Sequence, residues 1–161
     1  MIYSKTCEYA LRALKYLASK EGGSPTGLEE IKVHTGVPRD YLAKIFQCLA
    51  GDGIIDSKSG PRGGYSLSVD PSKLTVFQVM AALDNVASSP LSNCVMGHAE
   101  CSSKIPCSLH GIWEKARKKM EEALRKETVA DLLKEKKEGY INHGRHGRLS
   151  QRMRRIAGRR S

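Results

Sequence analysis

Two neighbouring stretches decide the fold: residues 31–42, IKVHTGVPRDYL, and residues 54–69, IIDSKSGPRGGYSLSV. The first is the joint between two short helices. Leu28 and Ile31 are the inward positions of a helix from about Gly27 to His34, which Gly36 ends. Val37-Pro38 then opens a second helix, about Arg39 to Ala50, with Tyr41/Leu42, Ile45/Phe46 and Leu49 recurring at three- and four-residue spacing. Proline suits a first helical turn, where its missing N–H has no intrahelical partner to lose. Two short helices across a tight Gly-containing turn read as helix-turn-helix, although a plain helical hairpin gives the same pattern. The second stretch separates the two. Ile54-Ile55 and Tyr65–Val69 are strand candidates around Ser59–Gly64, and a Gly-rich hairpin directly after such a helix pair is a wing. Glycine and proline let that loop approach a surface closely while Arg62 projects from its tip. A phosphate-binding loop is the weaker reading of GPRGG, since it lacks the GxxxxGK[ST] pattern and leads into no helix.

Outward from this centre the chain reads as helical. Residues 6–20, TCEYALRALKYLASK, place Tyr9/Ala10, Ala13/Leu14 and Leu17/Ala18 on one face, and Gly22-Gly23 stop them. Residues 75–84 form another helix, with Val76, Val79/Met80 and Leu83 inward. Val86 to Pro106 is a loop rich in Ser, Asn, Gly and Cys, longer than compact domains carry without a reason. From about Ser108 to Lys126 Ile112/Trp113, Ala116, Met120 and Ala123/Leu124 make an apolar stripe, and Val129 to Lys137 continue helical with Leu132 and Leu133 inward. A helix this long, with few partners left in the chain, buries its stripe most economically against a twin. Folding back onto its own winged domain is the alternative.

At 161 residues the chain has room for one domain, or for one small domain and an extension. Its net charge is +10, but residues 139–161 hold seven arginines and no acidic residue, so the rest of the chain is only mildly basic. Such a balance points to a polyanionic partner, nucleic acid being the common one. The tail has no apolar period and reads as disordered. No apolar run approaches the roughly 20 residues of a membrane span. The N-terminus has no signal-peptide core, so the chain is expected in the cytoplasm, with its five cysteines reduced or bound to metal. No nucleophile–base pair or paired carboxylates suggest an enzyme.

Cys94, Cys101 and Cys107 give C-x6-C-x5-C, with His110 three residues after the last thiol. Thiolates select soft or borderline acceptors. Structural zinc usually uses tighter C-x2–4-C knuckles, whereas an iron–sulfur cluster is satisfied by wider loops and accepts His in place of a thiolate. Iron–sulfur, zinc and free redox-active thiols all stay open on spacing alone. Cys7 and Cys48 lie in helices of the winged part, away from any ligand spacing, and read as buried packing residues.

In this order these features resemble the IscR/NsrR/RirA-type regulators, the Rrf-type winged-helix transcription factors. The matching stretches are CEYALRALKYLA (7–18), PRDYLAKIFQCLAGDGII (38–55), SGPRGGYSLS (59–68) and the three-cysteine loop, together about residues 1–126. The resemblance implies a mainly α fold with a small β-hairpin wing. It divides the chain into a winged helix-turn-helix domain (1–84), a cluster-binding cysteine loop (85–107), a dimerisation helix with a short following helix (108–138) and the basic tail (139–161). It also implies a homodimer that binds double-stranded operator DNA and senses iron–sulfur status, redox state or nitric oxide through an iron–sulfur cluster. Carried over, Cys94, Cys101 and Cys107 are cluster ligands. His110 is the fourth in the IscR-type 2Fe–2S set, whereas Glu8 matches an acidic residue that NsrR-type members donate across the dimer to a 4Fe–4S cluster. The 2Fe–2S set with His110 is preferred. On the DNA side Arg39, Asp40, Tyr41 and Lys44 start the recognition helix, whose N-terminal residues reach base edges, and Arg62 is set for the minor groove or a phosphate. Some members of this family instead work without a cofactor, by docking a partner protein.

Overall fold

The computed structural model describes residues 4–83, 94–98 and 101–134. Five helices and one hairpin follow in chain order: α1 (Lys5–Ala18), α2 (Leu28–Thr35), α3 (Arg39–Gly51), β1 (Ile55–Lys58), β2 (Gly64–Leu67), α4 (Val76–Leu83) and α5 (His110–Lys126). One-turn 3₁₀ helices lie at Glu21–Gly23 and Asp131–Leu133. Ser4 caps α1, its hydroxyl accepting from the Cys7 backbone N–H at 3.2 Å. Gly36 ends α2 at φ 69°, a left-handed conformation that frees the chain to turn sharply into α3.

The core forms where the helices' apolar faces meet. Ala10, Ala13, Leu14 and Leu17 of α1 pack with Ile31 of α2 and with Leu42, Ile45, Phe46 and Leu49 of α3. The small alanines let α1 lie close beneath the helix-turn-helix. Phe46 carries the core outward to the wing, its ring 4.6 Å from that of Tyr65 on β2.

The wing pairs β1 and β2 antiparallel, Ile55 opposite Leu67 and Lys58 opposite Gly64. It is anchored from behind, because Thr26 and Tyr65 exchange two backbone hydrogen bonds of 2.9 Å. Sequence periodicity could not show this third, single-residue strand. Gly64 makes it possible: its φ is +151°, and a Cβ there would stand 2.5 Å from the Thr26 carbonyl oxygen. Gly64→Ala is therefore expected to destabilise the protein by about 1–3 kcal/mol through overpacking, read as a lowered melting temperature. Gly27→Ala, at a position with open space around it, is the near-silent control.

A second, smaller apolar cluster joins α5 to this body. Cys7, Val76 and Met80 pack with Leu11, Met120, Leu124 and Leu132. The chain beyond α5 folds back along the start of α4: Val76 N–H donates to the Glu127 carbonyl at 2.9 Å, Val129 N–H donates to Leu74 at 2.8 Å, and Val129 is fully buried. Thr128 and Asp131 cap the terminal turn reciprocally, Thr128 N–H to Asp131 Oδ2 at 3.0 Å and Asp131 N–H to Thr128 Oγ1 at 3.2 Å. No helix among the described residues is long and apolar enough to cross a membrane.

Four expectations need correction. Cys48 is exposed, because it lies one turn beyond Lys44 on the face of α3 opposite the core stripe. The strands run Ile55–Lys58 and Gly64–Leu67; Ile54 is buried ahead of β1, and Val69 is exposed beyond β2. After Val129 there is one 3₁₀ turn instead of a further helix, and its tight pitch sends Leu132 inward and leaves Leu133 exposed. Fourth and last, α5 begins at His110, since residues 108–109 form a turn. The expected basic tail, residues 135–138 before it, the loop before Cys94 and residues 99–100 lie outside the described residues.

Candidate metal centre and nucleic-acid interface

The loop cysteines converge in two pairs. Cys94 Sγ is 3.8 Å from Cys107 Sγ, and Cys101 Sγ is 3.5 Å from Nδ1 of His110. Residues 94–98 turn at Gly97 (φ 79°), closed by a Gly97 N–H to Cys94 carbonyl bond of 3.0 Å. That turn aims backbone N–H groups at the Cys94 sulfur. The thiol is held below its ordinary range, first by the Met96 amide, with those of His98 and Gly97 and the Cys107 side chain adding to it against the effect of burial. The turn thus favours the deprotonated form of Cys94 relative to a free thiol.

His110 is the first residue of α5, and its backbone N–H reaches back to the Cys107 carbonyl at 3.0 Å. Its Nε2 is buried and has no hydrogen-bond partner, with Glu114 Oε2 3.7 Å away. Glu114 is held ionised, its pKa lowered chiefly by the Lys118 side chain. An anion on that side favours the proton on Nε2 and leaves the Nδ1 lone pair facing Cys101. Glu8 sits elsewhere in chemistry: its carboxylate pairs with Lys5 at 2.8 Å and Arg12 at 2.6 Å along α1. Among the described residues no three His, Cys, Asp or Glu side chains gather around one metal ion.

The pair distances themselves carry information. Two thiolates at ~2.3 Å from one tetrahedral metal stand about 3.8 Å apart, and a thiolate and an imidazole nitrogen about 3.6 Å apart. Both observed separations are compatible with ligand edges of a tetrahedral site.

Arg39, Asp40, Tyr41 and Lys44 are all exposed on the first turns of α3. Tyr41 is fixed from below by an edge-on contact with Tyr9 of α1, ring centroids 5.7 Å apart. Arg62 is exposed at the wing tip. The structure adds one residue that sequence reading missed: Glu29 of α2, whose Oε1 lies 3.2 Å from Arg39 Nε. No sequence spacing links positions 29 and 39, because the turn between helices creates that contact.

α5 carries two apolar stripes. Met120 and Leu124 face the body, whereas Leu109, Ile112, Ala116 and Ala123 are exposed, Ile112 at 74%. The helix therefore folds back on its own chain with one stripe and leaves the other open.

Comparison with known proteins places these features. The family model described as Rrf2, iron-dependent transcriptional regulator, matches residues 3–135. A protein of Aquifex aeolicus named as an HTH-type transcriptional regulator is 33% identical over 135 residues, 83% of this chain and 92% of that one. Among solved structures, CymR, the global cysteine regulator of B. subtilis, superposes with a TM-score of 0.69 at 25% identity, covering 83% of this chain and 97% of that one. IscR of T. potens superposes at 0.64 and 26% identity, over 83% and 87%. The winged helix-turn-helix, the match over most of the chain and the relatives named as regulators rather than enzymes agree, and the chain belongs to the Rrf2 family of DNA-binding transcriptional regulators.

Proposed function

We propose that this regulator holds a 2Fe–2S cluster on Cys94, Cys101, Cys107 and His110, acts as a homodimer, and couples the state of that cluster to binding of double-stranded operator DNA. The observation that carries the reading is the pairing of donors, Cys94 with Cys107 and Cys101 with His110, each at the separation of two ligands on one tetrahedral metal. Glu114 supports it, as a carboxylate 3.7 Å from Nε2, the ring nitrogen that does not face Cys101. When bound, the cluster supplies one-electron chemistry and reactivity toward oxidants and nitric oxide.

The chain's own residues transmit that state. His110 is both donor and first residue of α5, so a change at the cysteine loop bears directly on that helix. α5 is tied to the winged body through Met120, Leu124 and Val129. Its open stripe, centred on Ile112, is the surface that a second copy covers. A shift of α5 against its twin alters the separation of the two α3 helices. Two half-sites about one turn apart must be met together, so a small change alters affinity strongly.

The decisive experiment is anaerobic purification of the full chain, with visible absorption and iron and sulfide counts. Brown protein with two irons and two sulfides per chain is expected; bound zinc without sulfide would overturn the reading. His110→Ala is expected to lose the native spectrum while Glu8→Ala retains it. The reverse result would transfer the fourth ligand to Glu8 and favour a 4Fe–4S cluster shared between subunits. The likeness to CymR favours a second reading, a cofactor-free regulator controlled by a docked partner protein. Colourless, iron-free protein that still selects an operator would support it.

A further inference from the structure

Arg39, the first residue of α3, is held by the neighbouring helix. Glu29 Oε1 lies 3.2 Å from its Nε, and Glu29 Oε2 accepts from Lys32 Nζ at 3.0 Å. One carboxylate of α2 thus spans a cation of its own helix and a cation of the recognition helix. Arg39 and Glu29 are each 62% exposed, so the pair contributes little to folding. Its effect is on geometry. With Nε in ion-pair contact with Glu29, the two terminal nitrogens are left to form a fork of the kind that matches O6 and N7 of guanine. Glu29 also discriminates between acceptors. A carboxylate beside the guanidinium repels a phosphate, which carries full charge, more than it repels the neutral edge of a base.

We propose that Glu29 is a specificity-determining positioning residue, which buttresses Arg39 as a guanine reader and disfavours its use as a phosphate contact. This rests on α3 entering the major groove. Glu30 supplies an internal control, since it stands in the same first turn of α2 yet pairs with Lys20 at 2.6 Å and Tyr16 at 2.9 Å. Any effect of merely removing an acid from that helix end is common to both residues.

The test uses the full chain, purified anaerobically, to select sequences from a duplex pool with a randomised centre. Anisotropy titrations then compare the selected duplex, its single base-pair variants and a random duplex. Wild type should prefer G·C at one position by about 5- to 150-fold, the range of a good bidentate contact. Glu29→Gln should shrink that preference to a few-fold and leave the other positions intact. It should also tighten binding to random DNA and steepen its salt dependence, as the freed Arg39 takes a phosphate. Arg39→Ala should flatten the same position, and Glu30→Gln should leave it unchanged. The proposal is overturned if Glu29→Gln alters all duplexes by one common factor with discrimination kept. It is equally overturned if Glu30→Gln flattens that position as much, or if Arg39→Ala flattens none. Selection of no sequence at all would fail one step earlier, by removing α3 from the major groove.

Discussion

Cys94→Ala, Cys101→Ala and Cys107→Ala are each expected to purify without iron or sulfide, whereas Cys7→Ala and Cys48→Ala keep both. Each loop thiol belongs to one of the two donor pairs, and in the proposed cluster removing one would leave a metal with a single protein ligand on that edge. Cluster retention is then lost outright instead of weakened in proportion. Cys7 is fully buried against Val76 and Met80, so its truncation opens a small cavity in the packing between α1 and α4. That costs stability of about 1 kcal/mol without touching the metal. Cys48 is exposed on α3, and its loss should be near neutral. Iron and sulfide analysis of the five variants, with thermal melts alongside, checks all of this. Full metal content in any loop variant would remove that cysteine from the ligand set.

The helix-turn-helix was legible because its signals are local. Gly36, Pro38 and the repeating apolar pairs of α3 fix the turn and the helix in twelve residues, and the observed α3 runs Arg39–Gly51 against an expected end near Ala50. The wing was legible from its glycines, but its anchoring was not. Thr26 is joined to Tyr65 by backbone atoms alone, and backbone pairing over one residue leaves no periodic trace. Cys48 was misread for a different reason. Its residue type suggested burial, while its helical phase, one turn beyond Lys44, already put it on the polar face.

The candidate site was legible as a set of residues and not as a geometry. C-x6-C-x5-C with His110 names four donors, yet nothing in that spacing says that Cys94 goes with Cys107 and Cys101 with His110. Only the folded positions of the side chains show it, with Gly97 turning the chain after Cys94 at a positive φ. Likewise, the sequence presented α5 as one stripe seeking a partner. In the folded chain Met120 and Leu124 turn to the Cys7 cluster, and only the set around Ile112 stays open. A helix with apolar residues over half its circumference can serve two partners, and which residues serve which follows from the rotation fixed by α4.

Phe46→Ala is expected to be the most destabilising single core substitution, by about 3–5 kcal/mol. Phe46 is the largest fully buried side chain and sits where α1, α3 and the wing meet. Truncation leaves a cavity that rigid neighbours such as Leu42, Leu49 and Ile55 cannot fill. Native domains hold only about 5–15 kcal/mol in total, so this loss is a large fraction of the reserve. For a chain of this size it lowers the melting temperature by roughly 10 °C. A second consequence bears on function. The Phe46–Tyr65 contact at 4.6 Å is a direct side-chain tie between recognition helix and wing, and Tyr65 is itself tied to Thr26. Phe46→Leu keeps most of the volume and should fold, yet it loses the ring contact. Its operator affinity should fall because Arg62 is no longer held in register with α3, and the salt slope should decrease by about one phosphate if Arg62 contacts the backbone. Urea titration and operator binding of the two variants separate the effects, stability following Phe46→Ala and wing register following Phe46→Leu. Wild-type affinity in Phe46→Leu would show that the remaining ties, Thr26 to Tyr65 and Ile54 to Leu49, suffice to fix the wing.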